Sequence, residues 1–150
     1  MNFQVERYMQ LLLLLLLILG GTRANAQSTL IVSISGIQIT QGRILYSLYS
    51  SADGFPDNPQ KAYRSGFVNV TERALSLNIA SLPPGTYALS VIHDQNGDGR
   101  LNVNFVGIPT EPLGFSNKVM GAFGPPKFSK ARFTLQPGKN EIPIRLRMGQ

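Results

Sequence analysis

Leu82-Pro83-Pro84-Gly85-Thr86-Tyr87-Ala88-Leu89-Ser90-Val91 is the stretch that decides the fold class. Two consecutive prolines end the preceding element, because proline has no amide hydrogen and fixes its own φ. Gly85 then turns the chain at no steric cost. Beyond the turn, Tyr87, Leu89 and Val91 share one parity, while Ala88 and Ser90 take the other. Such period-two alternation marks a half-buried strand. Working outward, Leu30, Val32 and Ile34 alternate with Ser33 and Ser35, and Ile44, Tyr46 and Leu48 with Arg43, Ser47 and Tyr49. Leu75, Leu77 and Ile79 repeat the pattern, as do Ala131, Phe133 and Leu135, and finally Ile142, Ile144 and Leu146. Turn signals at Asp53-Gly54 and Pro137-Gly138 separate the runs. With one more strand near 67–70 and no amphipathic helix of useful length, the expectation is all-β: an antiparallel β-sandwich of about seven strands.

Two segments break this rhythm. Residues 51–61 form a polar loop with Pro56 and Pro59, expected to be a surface excursion. Residues 105–126 hold four glycines and four prolines. A loop that long within one domain is usually functional or disordered. Its apolar residues Phe105, Val106, Ile108, Leu113, Phe115 and Phe123 predict an ordered loop folded back on the sandwich. The Leu-Pro-Pro-Gly-x-Tyr strand start also resembles that of transthyretin-like and collagen-binding B-type sandwiches, within the broader Ig-like class. That likeness concerns the fold and carries no function.

The first 26 residues read as a secretory signal peptide. Arg7 gives a weakly basic start, 11–19 is an unbroken aliphatic run, and Ala24-Asn25-Ala26 supplies a cleavage site before Gln27. The run is shorter than the ~20 residues a membrane-spanning helix needs. Residues 27–150 are then expected to form a single domain, large enough to bury a core. The chain has no cysteine, so neither disulfides nor lipid attachment through a thiol can contribute. An exported chain without disulfides suits a bacterial periplasmic or secreted protein. Without Arg7, Arg23 and Glu6 the remainder carries 12 basic against seven acidic residues, or +5. The basic residues are scattered rather than run together, which argues against a nucleic-acid partner. No transmembrane segment is expected after cleavage, and the partner is an unidentified ligand of the cell envelope or its surroundings.

The chemistry concentrates just past the central strand, in His93-Asp94-Gln95-Asn96-Gly97-Asp98-Gly99-Arg100-Leu101-Asn102-Val103-Asn104. Asp94, Asn96 and Asp98 followed by Gly99 match the opening half of an EF-hand calcium loop, while Phe105 stands where its closing Glu should be. Ca²⁺ takes about 6–8 oxygen ligands. The candidate metal set is therefore Asp94, Asn96, Asp98, the Arg100 carbonyl, Asn102, Asn104 and Glu111, with affinity in the weak range of roughly 10⁻⁴–10⁻³ M. The alternative is that these side chains cap their own backbone in a tight turn without any metal. Both readings stay open on the sequence.

His93 is the single histidine and shares parity with Leu89 and Val91, so it belongs at the inward end of a strand, bonded to a neighbouring loop. One histidine and no cysteine leave no zinc or copper site of the usual kind. A hydrolase would need His93, oriented by Asp94 or Glu111, to activate Ser116. Gly114-Phe115-Ser116-Asn117 lacks the G-x-S-x-G elbow such enzymes use. Glu111, between Pro109 and Pro112, has a restricted backbone suited to a fixed ligand or ion-pair partner; the equal alternative is simply an exposed loop carboxylate.

From Val91 to Phe133 the chain resembles the DUF2141 family of uncharacterised secreted bacterial proteins. The residues that carry the likeness are His93-Asp94, Asn96, Gly99, Leu101, Asn104, Gly107-Ile108-Pro109, Glu111, Gly114-Phe115-Ser116-Asn117, Gly124-Pro125-Pro126 and Phe128. Asn102 departs from the acidic residue common in the family, which weakens a calcium site. The resemblance implies a fold and a surface, and no activity. The function expected is an exported, non-catalytic β-sandwich that binds or presents a ligand through the 93–126 surface, with Ca²⁺ as its one candidate cofactor. The alternatives are a structural or accessory module of the cell envelope with no ligand, and, behind that, a hydrolase.

Overall fold

The computed structural model describes residues 27–121 and 124–149; the expected leader, 1–26, and Phe123 lie outside the described residues. Eight strands form two sheets, β1 (Ser28–Ser35), β2 (Arg43–Tyr49), β3 (Arg64–Asn69), β4 (Leu75–Leu82), β5 (Gly85–Asp94), β6 (Leu113–Phe115), β7 (Phe133–Leu135) and β8 (Gly138–Arg145). One sheet runs β4-β1-β8, and the other runs β3-β2-β5-β6, with β7 also paired to β5. The architecture is the expected sandwich with one more strand. The pairing is not antiparallel throughout, because β1 and β8 are parallel, in register from Ser28–Gly138 to Ser35–Arg145. Alternation within a strand reports which face is buried and is blind to the direction of its neighbour, so this pair could not be read from the pattern.

The quoted stretch does what its residues dictate. Gly85 opens β5, and Tyr87 enters the core with its hydroxyl donating to the Pro83 carbonyl at 2.9 Å. Between the sheets lie Leu30, Val32 and Ile34 of β1, Ile44 and Leu48 of β2, Leu77 and Ile79 of β4, Leu89 and Val91 of β5, and Ile144 of β8, all buried. Full burial of each such side chain stabilises by about 1.5–3 kcal/mol.

The central strand departs from simple alternation. Ala88 and Ser90, expected to face solvent, are buried along with their inward neighbours. A second apolar layer covers that outer face. Tyr49 pairs with Ala88 and Phe115 with Ser90 across the sheet, which puts both rings on it. Phe55 meets Tyr49, Phe115 and Phe128 edge-on, with ring centroids 5.4, 6.1 and 5.8 Å away. The 51–61 loop is thus a surface excursion pinned by Phe55. Helix α1 (Phe128–Ala131) brings Phe128 to the same layer and takes up Ala131, which the alternation had assigned to a strand.

Register also gathers several loops at one end of the sandwich. Ile34 pairs with Leu75, Ser35 with Arg145, Arg43 with Asp94, and Leu113 with Ile92. Leu113 also bridges to Arg147, two residues beyond the end of β8. Residues 36–42, 70–74, 94–112 and 146–149 therefore all emerge at this end.

Candidate functional site

The strand β5 delivers His93 and Asp94, both with no exposed surface, to the start of the 94–112 loop. His93 faces inward as expected, its Nε2 at 2.9 Å from the Gln41 carbonyl. Facing a carbonyl, Nε2 donates, and Nδ1 is buried with no hydrogen-bond partner among the described residues.

Asp94 organises the loop. Its Oδ1 accepts from the amides of Gly97 at 2.7 Å and Asp98 at 3.1 Å. Its Oδ2 accepts from the Gly99 amide at 2.9 Å and Arg43 Nε at 3.0 Å. A carboxylate offers about four lone-pair sites, and all are in use. Gly97 and Gly99 sit at φ +77° and +85°, the left-handed region that lets successive amides converge on one carboxylate. The Arg43 guanidinium also donates to the Gly97 carbonyl and lies over the Phe67 ring, 5.1 Å from its centroid. A protein cation thus sits among the groups a metal would need.

The other candidate ligands are similarly occupied. Asn96 Oδ1 accepts from the Asp98 amide at 3.0 Å, and its Nδ2 donates to Asn102 Oδ1 at 3.1 Å. Asp98 accepts from Asn102 Nδ2 at 2.9 Å and from the Arg100 amide and Nε, both at 3.1 Å. The Asn102 amide, followed by Arg100, holds the Asp98 carboxyl below its ordinary value. Glu111, buried, accepts from the Gln95 amide at 2.8 Å through one oxygen and from the Asn102 amide at 3.0 Å through the other. It staples the start of the loop to its end. Among the described residues no group of three or more His, Asp or Glu side chains is placed to hold a metal ion. The side-chain oxygens of Asp94, Asn96, Asp98 and Glu111 are each engaged by N–H groups of the loop. This geometry supports the self-capped turn.

Asn104 stands apart from the other six candidates and builds a finger. Its Oδ1 accepts from the amides of Val106 at 3.1 Å and Ile108 at 2.9 Å. Its own amide donates to the Ile108 carbonyl at 2.9 Å, and Thr110 returns to the Asn102 carbonyl at 2.9 Å. Val103 bridges to Pro109 below the tip. Residues 102–110 form a hydrogen-bonded hairpin, and its turn throws Phe105 outward until 99% of its surface is exposed. Val106 and Val103 are more than half exposed beside it. Here the expected fold-back of the loop needs correction: Leu113 and Phe115 are buried anchors, whereas Phe105, Val106 and Ile108 are not.

Ser116 is not set up as a nucleophile. Its buried hydroxyl accepts from the Leu89 amide at 2.9 Å and donates to the Ala131 carbonyl at 2.6 Å. Leu89 is four residues from His93 along an extended strand, about 13 Å at ~3.3 Å per residue, so base and hydroxyl are not brought together. Asn117, at φ +59°, donates to the carbonyls of Lys130 and Arg132 at 3.1 and 2.7 Å and clamps α1 to the sheet. Sequence reasoning missed Arg43, whose parity marked it as an outer-face residue 51 positions away from Asp94. Only the pairing of β2 with β5 reveals the contact.

No match was found among curated proteins or among solved structures. The family profile described as "Uncharacterized protein conserved in bacteria (DUF2141)" matches residues 32–143, from the first core strand through the Asp94 loop, the finger and the Ser116-Asn117 clamp into the last strand. The chain belongs to the DUF2141 family.

Proposed function

We propose that the protein is an exported, non-catalytic β-sandwich that makes contact with its partner through the sandwich end bearing the 102–110 finger. The observation that carries this reading is Phe105. A large aromatic side chain held in full solvent exposure by a hydrogen-bonded hairpin contributes nothing to the core, and clustered exposed apolar groups mark interaction sites. The Asp94–Glu111 network supports the reading from beneath, because it fixes the base of the finger on the rigid strand β5. Export rests on the leader pattern and on Ala24-Asn25-Ala26.

A photo-reactive phenylalanine analogue at position 105 of the full-length chain, irradiated in the producing cell, tests it. The expected result is a specific adduct at 105, absent from the same analogue at exposed Gln136 on the opposite end, with mass spectrometry reading Gln27 as the N-terminus. Equal labelling at both positions would refute the contact surface, and an uncleaved N-terminus would refute export.

A further inference from the structure

The loops that register brings to one end carry more than the finger. Among the described residues nine large hydrophobic side chains are exposed, and six belong here: Ile39, Val103, Phe105, Val106, Ile108 and Met148. Beside them opens a groove of about 540 Å³ lined by residues 36–38, Arg73 and residues 145–148, with no carboxylate in its lining. None of the three arginines forms an ion pair among the described residues, in contrast to Arg43 and Arg100 of the neighbouring loop. Glu72, which precedes Arg73 in the sequence, does not line the groove. Arg145 and Arg147 also border a narrow cleft with Lys118 and Met120. Groove and finger are joined through the chain: Arg147 bridges Leu113, and Gly149 packs against Pro109 at the finger base.

Unpaired guanidiniums flanked by exposed aliphatic and aromatic side chains fit one kind of partner better than a protein surface. Arginine recognises phosphate oxygens through its planar fork. Apolar tips gain when they leave water for the acyl boundary beside those headgroups. We propose that this end of the sandwich docks on an anionic phospholipid surface, with headgroup phosphate in the Arg73–Arg145–Arg147 groove and Phe105 and Val106 entering the apolar layer. The proposal rests on the contact surface described above and names its partner. The charge of +5 on residues 27–150 favours approach to such a surface. Among the described residues no helix is long and apolar enough to cross a membrane.

Co-sedimentation of the mature chain with phosphatidylglycerol–phosphatidylcholine vesicles is the test. Binding is expected to these vesicles and not to pure phosphatidylcholine, and to weaken as salt rises. Arg145→Gln/Arg147→Gln should weaken it about tenfold or more, whereas Lys127→Gln/Lys139→Gln, with the same charge removed elsewhere, should stay within about twofold. Phe105→Ser/Val106→Ser should also lose at least about tenfold with an unchanged melting temperature. Equal losses from both charge pairs would mean nonspecific attraction and overturn the site. Full retention in the Phe105→Ser/Val106→Ser chain would overturn insertion of the finger. No binding to anionic vesicles, together with a protein adduct at position 105, would overturn the lipid partner while leaving the contact surface intact.

Discussion

Asp94→Asn separates the two readings of the glycine-rich loop, since asparagine keeps the shape and removes one acceptor oxygen. Either orientation of the amide turns an NH₂ toward two donors, the Gly97 and Asp98 amides or the Gly99 amide and Arg43 Nε. Hydrogen bonds to a charged group contribute about 1.5–3 kcal/mol each, and a buried donor left facing another donor costs more. Arg43 keeps 27% of its side chain in water and recovers part of its solvation, so the lower part of the range applies. The expected loss is about 3–4 kcal/mol, a large share of a total stability of about 5–15 kcal/mol. For a domain of this size the melting temperature should fall by about 10–15 °C. Urea unfolding and calorimetry in EDTA measure it, and repeating both in 10 mM Ca²⁺ should change neither protein. A metal site with Kd near 0.1 mM would instead stabilise the parent by about 2.7 kcal/mol at that concentration, and the variant not at all. That pattern, or a loss below about 1 kcal/mol in EDTA, would refute the self-capped turn.

Two further outcomes follow from the core and from the loop. Leu89→Ala, at a fully buried position on the central strand, should cost about 2–5 kcal/mol in denaturant unfolding; a loss below about 0.5 kcal/mol would mean that the cavity collapses or that the strand is misplaced. Asp98, its carboxyl held below the ordinary value first by the Asn102 amide, stabilises the fold above its unfolded pKa of about 3.9, and that contribution disappears as pH falls through the folded value. The difference in melting temperature between the parent and Asp98→Asn should accordingly be present at neutral pH and shrink below about pH 3.8, and a difference constant across that window would show that the carboxylate charge is not involved.

Much of the sandwich was legible because burial writes itself into parity. Leu30, Val32 and Ile34, or Leu89 and Val91, need no partner to announce which face they occupy. What parity leaves out is the neighbour. The parallel β1–β8 pair, the three-residue strand β6 and the aromatic layer over Ala88 and Ser90 depend on contacts between distant segments. Strand β6 is the clearest case, since Leu113-Gly114-Phe115 is too short to alternate. Gly114 is required there because a Cβ would stand 2.9 Å from the Arg145 carbonyl oxygen. From the sequence this glycine is indistinguishable from any loop glycine.

The candidate site shows the same limit in chemical form. Asp94, Asn96 and Asp98 declare acceptors at alternating positions, and an EF-hand and a self-capped turn declare the same acceptors. The difference lies in the donors. Three of those serving Asp94 are backbone amides, which every sequence contains and none displays, and the fourth is Arg43 from another strand. Glu111 follows the same rule, since its two partners are the amides of Gln95 and Asn102. Once those amides converge, the carboxylates no longer need a metal to hold the loop, and the network becomes scaffolding. Around it stand Phe105, exposed at the finger tip, and arginines that form no ion pair among the described residues. Those residues match no motif in the sequence, and their exposure follows from where the fold leaves them.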